Sequence, residues 1–135
     1  MPQAAYINLP VTDLDRAITF FAKLGFEHNP QFTNDEAAAI VISDHLRVML
    51  HTHESLTRFT RKTIVDAKQA TEVLLALQLE SREAVDSLFT RAIQAGASEY
   101  RDTEDYGFMY GRTFEDLDGH LWEPFWMDPD QKPED

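Results

Sequence analysis

The sequence predicts an α+β domain built from two βαβββ modules. Three observations carry this reading. The same order of elements occurs twice: a short strand-like run, a capped amphipathic helix closed by glycine, then three more strand-like runs. A shift of 68 residues aligns Val11 with Leu79, Asp13 with Ser81 and Phe21 with Phe89, each pair doing one structural job. Each module leaves an apolar sheet face that needs a partner, and 135 residues with 43% hydrophobic content suffice for one ordinary core.

The first module spans 4–53. AAYINLPV (4–11) is rich in β-branched and aromatic residues, and Thr12 and Asp13 offer helix caps before LDRAITFFAKLG. In that helix Leu14, Ala17, Ile18, Phe21 and Leu24 recur at helical spacing, and Gly25 supplies the stop. FEHNPQFT (26–33), EAAAIVIS (36–43) and LRVMLHT (46–52) read as strands. The second module spans 72–127. EVLLALQL (72–79) is its first strand, and Ser81 caps a helix whose stripe is Val85, Leu88, Phe89, Ala92 and Ile93, with Gly96 at its end. ASEYRDT (97–103), GFMYGRTF (107–114) and HLWEPFWM (120–127) complete it. Between the modules, 54–71 lacks a sustained period and reads as a connector with a short helical turn. The prolines and charges of 128–135 predict a mobile tail.

Composition excludes several classes of function. A net charge of −12 opposes binding to nucleic-acid phosphates and to anionic membrane surfaces. The absence of cysteine removes disulfides, thiolate metal sites and thiol nucleophiles. The N-terminal residues do not read as a signal peptide, and no stretch approaches the roughly 18 apolar residues of a membrane span. The expectation is a cytoplasmic protein with no nucleic-acid or membrane partner.

By strand alternation Glu123 shares a face with Leu121 and Phe125, so it points inward. An inward carboxylate among apolar neighbours needs a partner, and Tyr6, Asn8, Gln78 and Arg112 are candidates. Glu123 is therefore the candidate general base or ligand-orienting group. Phe108, Tyr110, Arg112 and Phe114 fall on one face at period two and would give a ligand aromatic stacking and a fixed cation. The alternative is that these aromatics fill the core and that Arg112 neutralises Glu115 or Glu123. Trp122 and Trp126, on the opposite face from Glu123, are expected to pack against helices. His51 and His53 stand two apart and could face one side of a strand as metal ligands, but a solvated strand end explains them better. By alternation they lie opposite Leu46, Val48 and Leu50, away from the predicted cleft face. The D-x-D-G of EDLDGH lacks oxygen ligands at Phe114 and Phe125, so it reads as a turn closed by His120 rather than as a calcium loop.

The repeat, the opening INLPVTDLDRAITFFAKLGF and the closing FEDLDGHLWEPFW resemble the glyoxalase/bleomycin-resistance/extradiol-dioxygenase family, the vicinal oxygen chelate superfamily, over residues 4–127. The resemblance implies two modules that form a glyoxalase-like cleft, and a homodimer. It also implies metal addresses on the first and last strands of each module, which here hold Tyr6, Val48, Leu74 and Glu123. Leucine and valine cannot ligate a cation, and one carboxylate does not supply the roughly three His or carboxylate ligands of a catalytic centre. No metal or other cofactor is therefore expected, a weakly held divalent ion at Glu123 being the residual alternative. Two functions follow as expectations. One is a protein that binds a small organic molecule in its cleft through Tyr6, Asn8, Phe108, Tyr110, Arg112 and Glu123. The other is a glyoxalase-like lyase or isomerase using Glu123, with or without a divalent metal.

Overall fold

The computed structural model describes residues 1–130. The chain divides into two compact units, one running to Asp66 and the other beginning at Ala67. The first contains β1 (Ala5–Val11), α1 (Leu14–Lys23), β2 (His28–Asn29), a 3-10 turn over Pro30–Phe32, β3 (Ala37–Val41), β4 (Leu46–Thr52) and α2 (His53–Leu56). The second contains β5 (Leu74–Gln78), α3 (Arg82–Gln94), β6 (Ser98–Asp105), β7 (Met109–Glu115) and β8 (Leu121–Met127). Each unit has one four-stranded mixed sheet, in the orders β1-β4-β3-β2 and β5-β8-β7-β6. The α+β class and the repeated plan are as the sequence predicts. Among the described residues no helix is long and apolar enough to cross a membrane.

The helices begin where their caps stand. The Asp13 carboxylate accepts the backbone N–H of Arg16 at 3.0 Å, and the Ser81 hydroxyl accepts that of Ala84 at 3.0 Å. Each satisfies a donor that a helix start leaves open. In the first unit Leu14, Ala17, Phe20, Phe21 and Leu24 are buried, and α1 packs on the strands that carry Ile40, Val48 and Leu50. Phe20 takes the place expected of Ile18, which is only half-buried. In the second unit Val85, Leu88, Phe89 and Ala92 of α3 meet the side of the sheet carrying Phe114 and Trp122, while Ile93 is exposed. Burying each such side chain contributes roughly 1.5–3 kcal/mol relative to leaving it in water.

One expected strand differs sharply from what forms, while β4 has its expected bounds. Only His28–Asn29 of 26–33 pairs, because Pro30 brings no N–H to a ladder and the Asn29 side chain instead accepts the N–H of Gln31 at 3.0 Å. β4 stops at Thr52, whose hydroxyl caps α2 by accepting the N–H of Ser55 at 3.1 Å. Of the expected tail, 131–135 lie outside the described residues. Before them, Asp128 donates its N–H to the Phe108 carbonyl at 2.8 Å.

The EDLDGH segment is a turn organised by Asp116. Its Oδ1 accepts the N–H groups of Asp118 and His120, and its Oδ2 accepts the indole N–H of Trp122, all at 2.9 Å. Burial pushes the Asp116 carboxyl pKa up, against the lowering pull of His120 and these donors. Gly119 sits in this turn at φ +92°, where a Cβ would lie 2.5 Å from the Lys68 backbone nitrogen. Gly107 has a similar φ of +81° but nothing within 4 Å. Gly107→Ala should therefore cost only the backbone term, about 1 kcal/mol, and Gly119→Ala at least about 2 kcal/mol more. Urea unfolding of the two variants measures the difference, and equal losses would show that the close approach to Lys68 does not matter.

Candidate functional site

Register brings Glu123 into a row that crosses the whole second sheet. Ala76 of β5 pairs with Glu123 of β8. The pairs Phe114–Trp122 and Gly111–Phe125 set Thr113 of β7 against Glu123, and Thr113 pairs with Arg101 of β6. Cross-strand neighbours point to the same side of a pleated sheet, so Glu123, Thr113 and Arg101 converge. They close a ring of hydrogen bonds. Arg101 Nε donates to Thr113 Oγ1 at 3.1 Å, Thr113 Oγ1 donates to Glu123 Oε2 at 3.2 Å, and Arg101 Nη2 pairs with the same Oε2. Arg101 Nη2 also reaches Glu104 Oε1 at 2.8 Å.

Arg101 arrives on this face through an irregularity. The register of β6 against β7 shifts between Glu99 and Arg101, and again between Arg101 and Glu104. Simple alternation from Glu99, which faces the helix side and lies 3.5 Å from Arg112, would send Arg101 to that side too. A bulge inserts one residue and re-aims the next side chain. Arg101 was absent from the sequence-based candidates for this reason.

Around the ring lies a hollow of about 180 Å³ lined by Leu74, Ala76, Tyr100, Leu121, Arg101, Thr113 and Glu123. Its walls are mainly apolar. Glu123, Arg101 and Glu104 carry a formal charge of −1 together, and Arg101 is half-exposed while the two carboxylates are largely covered.

Other predicted site residues lie elsewhere. Tyr110, Arg112 and Phe114 face α3, not the hollow. The Tyr110 hydroxyl donates to Asp86 Oδ1 at 2.6 Å, Arg112 Nη1 donates to the same oxygen at 3.1 Å, and the Arg112 guanidinium lies 3.8 Å over the Phe89 ring. The bond to Asp86 raises the Tyr110 pKa, and burial adds to it. These groups fasten the helix to the sheet, and Arg112 neutralises Asp86 and Glu99 rather than Glu115 or Glu123. Phe108 precedes β7 and stacks on Tyr106, with ring centres 6.4 Å apart. Trp122 and Trp126 are on the α3 side as expected, Arg82 lying 5.2 Å from the centre of the Trp126 ring. Arg82 also clasps Asp105 in two bonds, which holds that carboxyl pKa at about 2.

In the first unit the matching row is Asn8, Met49, Ala39 and Asn29. The residue equivalent to Glu123 is therefore Met49. Val48, one position earlier, is fully buried on the α1 side, so matching the two turns residue by residue slips the register by one. The same slip put His51 on the wrong face. His51 shares the face of Tyr6 and Asn8, and its Nε2 is 2.7 Å from Asn8 Oδ1 while its Nδ1 is 2.9 Å from Ser55 Oγ. One neutral tautomer satisfies both, with Nε2–H donating to Asn8 and Nδ1 accepting from Ser55. Tyr6 is exposed on the same face, whereas His53 opens α2 and points to solvent.

The residues do not fit a divalent catalytic centre. On the second sheet the Glu123 oxygen is held by a guanidinium and a hydroxyl, with Leu74 and Ala76 beside it. On the first sheet Met49 is flanked by an asparagine whose oxygen is bonded to His51. Among the described residues no three His, Cys, Asp or Glu side chains converge on one point.

Burial lowers the His51 pKa from its ordinary value of 6.5. A base protonated less readily when folded has no effect on stability well above 6.5 and weakens the fold as pH falls below it, because the unfolded chain takes the proton first. The thermal midpoint of wild type should therefore fall more steeply than that of His51→Gln between about pH 6.5 and 5. Parallel curves would show that His51 is not linked to folding.

A sequence model of the glyoxalase/bleomycin resistance protein/dioxygenase superfamily matches residues 3–123. A hypothetical protein from S. aureus is similar in structure, with 28% identity, a TM-score of 0.78, and 93% of this chain and 95% of that one covered. A glyoxalase-related enzyme from Fulvimarina pelagi gives 22% identity and a TM-score of 0.77 over 93% of this chain and 88% of that one. A glyoxalase/bleomycin resistance protein/dioxygenase family enzyme from Burkholderia phytofirmans gives 18% and 0.76 over 94% and 99%. These last two share the fold alone. No curated protein matches. With the repeated βαβββ plan and the match over most of its length, this chain belongs to the glyoxalase/bleomycin resistance protein/dioxygenase superfamily.

Proposed function

We propose that this protein binds a small organic molecule in the hollow of its second module, without a tightly held metal. The observation that carries this reading is the pairing of apolar walls with the Glu123–Arg101–Glu104 cluster. A hollow of about 180 Å³ is smaller than the roughly 300–1,000 Å³ of drug-sized sites, so it suits one ring or a short chain. The cluster's charge of −1 and the chain's −12 favour a ligand bearing a positive group. Tyr100 beside it adds a ring face that attracts cations.

The lyase or isomerase reading needs Glu123 as a proton acceptor or a metal ligand. Its bonds to Arg101 and Thr113 favour the binding reading, because a base engaged by a guanidinium has to break that pair before it accepts a proton.

Benzamidinium should raise the thermal midpoint of the wild type in a dose-dependent way, whereas benzoate should not. Glu123→Gln should weaken benzamidinium binding about tenfold, or about 1.4 kcal/mol. A screen in which benzoate stabilises and benzamidinium does not would sink the assignment of charge. Titration of tag-free protein with nickel, zinc and manganese should give no stoichiometric complex. An EDTA-sensitive metal retained by wild type and lost in Glu123→Ala would overturn the metal-free reading.

A further inference from the structure

We infer that Arg101 is a tethered occupant of this site, its guanidinium filling the place on Glu123 and Glu104 that a ligand's cationic group takes on binding. The inference rests on the cation-binding reading above and adds a displacement step to it.

The geometry supplies two carboxylates for one guanidinium. Arg101 Nη2 is shared by Glu123 and Glu104, so the arginine carries no surplus charge for an anionic ligand, which would meet two acids at the same point. A cation arriving from the hollow meets Glu123 on its wall, with Arg101, which Glu104 also holds, as its competitor. The competitor can leave. Arg101 is half-exposed, it stands between two register shifts on the edge strand β6, and its stem reaches solvent. Pairs made by a half-exposed guanidinium are weakened by water, so a ligand that adds apolar contact with Leu74, Leu121 and Tyr100 can outweigh the two ion pairs and the Thr113 bond that Arg101 gives up. Thr113 is buried and keeps its bond to Glu123, so the carboxylate holds its aim while the guanidinium swings out. Arg101 then lowers affinity but supplies the empty site's two acids with a counter-charge, which their hydroxyl donors Thr113 and Tyr106 do not.

The prediction runs opposite to the usual outcome of removing a binding-site arginine. Arg101→Ala should bind benzamidinium at least tenfold more tightly than wild type. Methylguanidinium should raise the thermal midpoint of Arg101→Ala, whereas neutral methylurea should not and wild type should barely respond. Arg101→Met, which keeps the apolar stem, should show the same gain in affinity and guards against a packing defect. Glu123→Gln added to Arg101→Ala should abolish the gain. Benzamidinium that binds wild type but binds both Arg101 variants equally or more weakly would overturn the displacement step alone. Binding to none of the proteins would overturn both this inference and the reading beneath it.

Discussion

A carboxylate on the apolar side of a sheet must be given a counter-charge, and the second module is arranged around meeting that demand at Glu123. The Glu123 side chain is 24% exposed, and its partners Arg101 and Thr113 both lie on its own face. Thr113 and Arg101 meet the demand from successive strands, at the single level of the sheet where all three side chains share a side. The irregular pairing of β6 follows from this. A regular strand would have turned Arg101 toward α3, where Arg112 already serves Asp86 and Glu99. Two arginines on that side would have left Glu123 with the Thr113 hydroxyl but no counter-charge from β6.

The two faces of this sheet thus divide the charged residues between different tasks. On the α3 side, Arg112 lies between Asp86 and Glu99 over Phe89, and Arg82 holds Asp105 beside Trp126 and Tyr110. These pairs join separate elements, so breaking one loosens the packing of the helix. On the other side Arg101 of β6 reaches across β7 to Glu123 of β8, within a sheet that the backbone ladder already holds. Losing its ion pair changes the chemistry of the hollow more than it changes the fold. The same residue type is structural on one face and exchangeable on the other, and what decides this is how much other contact depends on it.

Much of the fold was legible in the sequence because it rests on local rules. Asp13 and Ser81 mark helix starts through their own side-chain chemistry, and the stripes of α1 and α3 repeat at 3.6 residues. The inward direction of Glu123 followed from alternation along one strand. What the sequence hid depends on pairing between strands. Placing Met49 rather than Val48 opposite Asn8 requires the register of β1 on β4, and a slip of one residue reverses every face assignment. His51 belongs to the face of Tyr6 and Asn8 for that reason. Arg101 was hidden more deeply, because a bulge leaves no period to read; the one available signal was an arginine among the acids of an otherwise exposed strand. The stripe Tyr110, Arg112 and Phe114 could be grouped on one face but read either as a ligand wall or as core, since period two identifies a face without saying what covers it, and here α3 covers it.

Of the two equivalent rows, one on each sheet, that of the second sheet alone is charged. Asn8, Met49, Ala39 and Asn29 contain no ionisable group, and the amide oxygen of Asn8 is bonded to His51, itself fixed by Ser55. That network satisfies its members with neutral partners, so a cation has no charge to compete for there. Ala76, Glu123, Thr113 and Arg101 contain an acid and a base whose attraction is strong only while water is excluded. On the proposed reading, a cationic ligand replaces one positive partner of Glu123 with another, and the net charge of the covered cluster does not change when Arg101 moves into solvent. Because that exchange leaves no carboxylate bare, it can proceed without opening the fold.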